Sequence, residues 1–276
     1  MLKCSGLGFW SVVIYMLVAD TVEYGTYKTG TRAAGITFSL QCFAAKLKNG
    51  KVVSLFAPAD FKKDYMNPLG YGGLMGLLRN YEIMNPFISS SNDAFNRLKP
   101  GYEAPVCIVT SLGRSVEEPS RNRTVLAGLI RDPKNPLATR FELRSPNPKS
   151  NTYLVIATAY MAILDGMKAV LEAEKTPAEL EKSISKKCGE EDFYLETERE
   201  YRSEADVFDD YTQEERDKLF GRAPATVWEN LRALETHKDR LHVLKEGQVM
   251  PSIVLKSYCE QTLAQWKTEL HDRIIP

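Results

Sequence analysis

The chain has 276 residues, 36 Lys+Arg against 36 Asp+Glu, 43% hydrophobic residues and a mean hydropathy of -0.30, which describes a soluble globular protein of one large or two ordinary domains. Zero net charge removes the whole-molecule field that holds a polyanion, which excludes generic nucleic-acid binding. Five scattered cysteines without a CxxC pair argue against a disulfide framework or zinc knuckle and for a reducing cytoplasm, and three histidines, His237, His242 and His271, leave any mid-chain metal site to carboxylates.

From Cys4 to Ala19 the polar side chains are Ser5, Ser11 and Tyr15. This run is short of the roughly 20 residues that span a bilayer, and Leu17 fits poorly in a signal-peptide cleavage site. A membrane helix and a buried helix of a soluble protein both remain open for it. The following Ala19-Asp20-Thr21-Val22-Glu23-Tyr24-Gly25, Lys28-Thr29-Gly30 and Arg32-Ala33-Ala34-Gly35-Ile36 resemble the conserved cytoplasmic loop of the glycoside–pentoside–hexuronide cation symporters. The second helix which that family places after the loop is missing. Residues 1–45 therefore read as a transporter-like apolar helix and loop fragment that could touch a membrane but not transport, since a path needs several helices around a cavity.

After the Asn49-Gly50 turn, Val52–Phe56 predicts a strand. Leu74, Leu77 and Leu78 predict a helix over 70–81, whose Gly72-Gly73 pair implies close packing. Asn85-Pro86 and Ser89–Asp93 read as loop. Three clusters follow: Arg97-Leu98-Lys99-Pro100-Gly101-Tyr102-Glu103-Ala104-Pro105, Arg121-Asn122-Arg123-Thr124, and Arg140-Phe141-Glu142-Leu143-Arg144-Ser145-Pro146-Asn147-Pro148. In the last, alternation places Arg140, Glu142 and Arg144 on one strand face and Phe141 and Leu143 on the other. Such a row is either an ion-pair ladder or a site for phosphate, carboxylate and a divalent cation.

These clusters, in this order and followed by Asn151-Thr152-Tyr153-Leu154 and Leu164-Asp165-Gly166, resemble the C-terminal catalytic domain of glutamine synthetases. That resemblance implies an α+β fold: a curved antiparallel sheet flanked by helices over 46–170, partial on its N-terminal side, and a helical C-terminal part over 171–276. It implies ATP-dependent formation of glutamine from glutamate and ammonia through γ-glutamyl phosphate, with Mg²⁺ or Mn²⁺ as cofactor. Arg97, Glu103 and Arg144 would bind glutamate, with Glu103 on a flap that excludes water and helps deprotonate ammonium. Arg123 would meet the transferring phosphoryl group, Arg131 and Arg140 the nucleotide phosphates, and Glu142 the metal. Ring-shaped homo-oligomers are the family's assembly. The family's remaining metal ligands lie before the segment resembling Lys48–Phe56, where residues 1–45 hold one glutamate, Glu23, and no histidine. The expectation is therefore the C-terminal part of a glutamine synthetase joined near 42–46 to a transporter fragment. An inactive remnant or assembly module is the second reading, and a transporter fragment the third.

Further along, 151–171 reads as a core helix rather than a membrane span. Thr176-Pro177-Ala178-Glu179 and Thr212-Gln213-Glu214-Glu215 match capping boxes, and Pro224 precedes another helix. The acidic stretch 190–210 reads as a solvated loop or short helix. Val254, Tyr258, Trp266 and Leu270 predict a packed helix over 252–274. The three histidines read as surface or core residues rather than ligands.

Overall fold

A computed structural model describes residues 38–40, 55–98, 107–132, 134–135 and 138–273. These belong to the compact unit Thr37–Pro276. The segment 1–36 and the motif residue Glu103 lie outside the described residues.

Among the described residues four short strands form one sheet in the order β1-β4-β3-β2: β1 is Phe38–Leu40, β2 Thr110–Ser111, β3 Ala127–Ile130 and β4 Arg140–Leu143. β4 pairs antiparallel with β1 and with β3, as expected, whereas β2 joins β3 in parallel. β1 comes from a stretch that the sequence reading assigns to the transporter-like fragment. Its Ser39 stands opposite Glu142. Burial alternates along β4: Phe141 and Leu143 are buried while Arg140 and Glu142 are partly open, and Phe141 stacks on Phe56 with ring centroids 4.6 Å apart.

Because β2 and β3 run the same way, the chain between them must travel back the length of the sheet, a connection that takes a dozen or more residues and is usually helical. Here it is the irregular crossover 112–126, which carries Arg121–Thr124. Gly113 turns it with φ +115°, where an added Cβ would stand 2.5 Å from the Glu118 carbonyl oxygen.

Eight α-helices are seen among the described residues. α1 is Pro68–Arg79, capped by the Asn67 side chain on the Gly70 amide and opened by a proline at its first position. α2 is Tyr81–Ile88 and α3 Thr152–Ala173. α4, Pro177–Ile184, and α5, Gln213–Phe220, both start with the expected reciprocal capping boxes, Thr176 with Glu179 and Thr212 with Glu215. α6 is Val227–Thr236, α7 Leu241–Lys245 and α8 Ser252–Arg273. α3 is long and apolar enough to cross a membrane, but α1 covers one side of it. Gly72 and Gly76 of α1 face Gly166 and Ala162 of α3 so closely that an added Cβ at Gly76 would overlap the Ala162 carbonyl oxygen. α1, α3 and the buried face of the sheet share one core, with Tyr71, Leu74, Leu78, Leu129 and Phe141 in it.

Three expectations need correction. Leu55 and Phe56 form a turn rather than strand, and 52–54 lie outside the described residues. Asn85-Pro86 lies inside α2 instead of a loop. There the Asn85 side chain is buried, accepting from the Tyr81 hydroxyl at 2.8 Å and donating to Asn230 of α6 at 2.8 Å, and tertiary bonds override the local bias of a residue before proline. The acidic stretch 190–210 is not a solvated loop, since Tyr194, Leu195, Tyr201 and Val207 are buried in it. In α8, Tyr258 packs on Phe87 and Trp266 on Trp228, as predicted, whereas Val254 is 39% exposed.

Candidate functional site

The open face of the sheet carries the charged row. Across it, Ser39, Glu142, Gly128 and Ser111 stand in one register line from β1 to β2. Gly128 leaves room there: a Cβ built on it meets nothing within 4 Å. Gly128 is itself buried, so this room is a small space over the β3 backbone, between strands about 4.8 Å apart.

Glu142 and Arg144 form an ion pair at 2.9 Å, with the side chains 18% and 15% exposed. Arg144 continues the β3–β4 ladder, its amide donating to the Leu126 carbonyl at 3.0 Å. That bond sets Arg144 at the end of the ladder which the crossover enters through Arg123, and Arg123 itself is exposed. Arg140 stands at the opposite end, paired with Ile130, and donates to the Ala138 carbonyl at 3.0 Å, while its buried Nε has no hydrogen-bond partner among the described residues. An unsatisfied buried donor of a charged group is costly, and the Arg131 Nε is in the same position.

Arg131 is placed differently from the other arginines. It is 6% exposed, and its terminal nitrogens donate to the carbonyls of Val116, at 2.9 Å, and Phe61. Its guanidinium lies 4.7 Å from the Phe61 ring centroid and 5.9 Å from that of Tyr65. Burial pulls its pKa down, against the pull of Tyr65 and Tyr71. This residue ties the crossover to the segment before α1, a structural use of the two terminal nitrogens. Arg97 ends the short 3-10 helix Asn92–Arg97.

Beside Arg123 the crossover encloses an open cleft of about 420 Å³, lined by Arg114, Ser120, Arg121, Arg123, Thr124 and Glu204 among others. Glu204, missed by sequence reasoning, is the best-held carboxylate of this region. It accepts from the amides of Leu112 and Gly113, each at 3.0 Å, from Arg202 Nε at 2.9 Å and from the Ser111 hydroxyl. Burial alone would raise its pKa, but the bonds from Ser111, Arg202 and Leu112 outweigh burial and hold it below the usual glutamate value. The signal that could have exposed it is the recurrence of apolar residues, Tyr194, Leu195, Tyr201 and Val207, in a stretch dismissed as acidic.

For a divalent metal the fit is poor. Among the described residues no three His, Cys, Asp or Glu side chains come together, and the Glu142 carboxylate is already engaged by Arg144. Hard divalent cations need several oxygen ligands.

The family described as glutamine synthetase, catalytic domain, matches residues 47–199, and this match does not bear out the symporter resemblance of residues 1–45. Glutamine synthetase of Frankia alni is 36% identical over 109 residues, 37% of this chain and 21% of that protein. That of Escherichia coli K12 is 32% identical over 161 residues, 56% of this chain and 31% of that protein. The chain thus spans about a third or less of the length of these relatives. In three dimensions it resembles a glutamine synthetase of Plasmodium falciparum with a TM-score of 0.55 and 17% identity, over 83% of this chain and 43% of that one, a likeness of fold. The match over more than half of its residues makes this chain a member of the glutamine synthetase family.

Proposed function

We propose that this chain carries the anion-binding face of an ATP-dependent glutamate–ammonia ligase. The observation that carries the reading is the β4 row: Arg140 and Arg144 flank Glu142 on the open side of the sheet, opposite the vacant room at Gly128. In the proposed reaction a γ-carboxylate oxygen of glutamate attacks the terminal phosphorus of ATP, releasing ADP and forming γ-glutamyl phosphate. Ammonia then attacks the acyl carbon, phosphate leaves, and one proton is lost from nitrogen. Both steps gather negative charge on oxygens, and fixed guanidinium groups in a partly dry site stabilise such charge better than water does. Arg144 and Arg123, at one end of the ladder, would hold the carboxylate and the moving phosphoryl group, and Arg140, at the other, the nucleotide. Arg97 and Glu103 would complete the glutamate pocket and its flap. Glu142 holds Arg144 in place through their ion pair. Because the described residues do not fit a resident Mg²⁺ or Mn²⁺, no step is assigned to a metal. Ring-shaped homo-oligomers are the proposed assembly.

A second reading is favoured by the same donor count. A chain whose described carboxylates do not converge suits binding of nucleotide and glutamate without turnover, as a remnant or assembly module.

The test is glutamine formation by purified protein supplied with glutamate, ammonia, ATP and Mg²⁺. Activity that falls about 100-fold is expected in Arg144→Ala from loss of a charge-stabilising group, and a fall in Glu142→Ala from loss of the ion pair that holds Arg144. Folded wild-type protein that binds ATP but forms no glutamine would establish the second reading.

A further inference from the structure

The crossover 112–126 carries Arg123, yet it contains no helix and no ladder of its own beyond a single bridge between Gly113 and Pro119. A loop of this length in a functional position needs something else to order it. The segment Tyr201–Val207 lies along it from end to end. Thr110 of β2 donates its amide to the Tyr201 carbonyl at 2.8 Å and accepts from the Ser203 amide at 2.9 Å, so the segment starts as an added strand on the β2 edge. Arg202 then reaches the Gly113 carbonyl at 2.9 Å, and Glu204 takes the Leu112 and Gly113 amides at 3.0 Å each. At the far end Asn122 donates to the Ala205 carbonyl at 2.7 Å, and the Val207 amide donates to the Thr124 hydroxyl at 3.0 Å. Thr124 in turn donates to Asn122 at 2.7 Å. The two residues that flank Arg123 are therefore both tied to this strap.

We propose that Tyr201–Val207 is the positioning strap of the anion site, fixing the Arg123 guanidinium through Asn122 and Thr124, with Glu204 as its lock on the crossover. The proposal rests on the reading of Arg123 as an anion ligand. It assigns a role in that site to a segment beyond the stretch, 47–199, that the family description matches. The strap residues are positioning residues, since they act through Arg123.

The experiment compares ATP affinity by calorimetry with amide hydrogen exchange in the full chain. Thr124→Val keeps the shape of the side chain and removes the hydroxyl, whereas Thr124→Ser retains it. The expected result is ATP binding about tenfold weaker in Thr124→Val, in line with one or two lost hydrogen bonds, and wild-type affinity in Thr124→Ser. In Glu204→Ala the amides of Leu112 and Gly113 should exchange at least about tenfold faster, together with those of 122–124. If Arg123→Ala loses ATP while Thr124→Val binds it like wild type, the strap is overturned and the reading of Arg123 stands. If Arg123→Ala binds ATP like wild type, or neither protein binds it, that reading falls and the strap falls with it as a device of the anion site. Where Arg123→Ala loses ATP, exchange released only at 112–113 overturns the strap, and joint release through 122–124 upholds it.

Discussion

Glu204 shows how a single side chain couples the site to pH. Its carboxylate is 23% exposed and accepts from two amides, a hydroxyl and a guanidinium, all of which favour the ionised form. Its folded pKa therefore lies below the ordinary value of 4.5. For a group depressed on folding, the stabilisation is complete above the unfolded value and is lost as pH falls through the folded one. As pH falls below the ordinary value of 4.5, wild-type protein should lose urea resistance more steeply than Glu204→Gln. Parallel curves for the two proteins would show that the carboxylate charge contributes nothing. At this scale the sequence was legible where chemistry shares one short strand: Arg140, Glu142 and Arg144 alternate with Phe141 and Leu143, and the structure keeps that alternation. It was illegible where the partners are distant. Nothing near Arg131 in the chain announces that the Phe61 and Val116 carbonyls take its guanidinium.

At the scale of elements, helix signals written in local capping chemistry were readable, and the packing of those helices was readable through glycine. The Gly72-Gly73 pair predicted a close approach, and its partner is Gly166 of the Leu-Asp-Gly motif: a Cβ on Gly72 would come within 2.7 Å of the Gly166 carbonyl oxygen. Asp165, next to it, accepts from Asn80 at 2.9 Å and from the Tyr194 hydroxyl at 2.6 Å, locking α3 against the end of α1 and the 190s segment. Burial, followed by the Asp165 charge, raises the pKa of Tyr194 far above that of a free phenol. Gly76→Ala puts its methyl group onto the Ala162 backbone, which has no rotamer to relieve the overlap. The substitution should destabilise the protein by about 3 kcal/mol, the upper range for overpacking, when unfolding is followed by far-ultraviolet dichroism in urea. Gly128→Ala, pointed into open space on the sheet, serves as the control and should change stability by less than about 1 kcal/mol. Equal effects at both positions would contradict the glycine contact as the cause.

For the molecule as a whole, the feature least visible in sequence is the charge cluster that joins its parts. Glu82 of α2 is 6% exposed. It is paired with Arg199 from the segment after α4 and lies 3.6 Å from Arg240 before α7. Both arginines also pair with Glu196, Arg199 at 3.0 Å, and Arg240 donates to the Arg79 carbonyl at 2.7 Å. These residues lie up to 161 positions apart, so no periodicity or spacing could pair them. Burial lowers the pKa of Arg240, against the pull of Glu82, yet an arginine stays charged at any ordinary pH. Removing the Glu82 charge would therefore leave two guanidiniums sharing the single carboxylate of Glu196. Breaking one partner of a buried ionic cluster costs about 3–5 kcal/mol, because the remaining charge is desolvated without compensation. Glu82→Gln should lower the urea midpoint accordingly. The double variant Glu82→Gln/Arg199→Met should recover part of the loss, since the excess guanidinium is gone. Additive losses in the double variant would mean that Glu82 and Arg199 act separately, and that α2 and the 190s segment are held together by their apolar contacts instead.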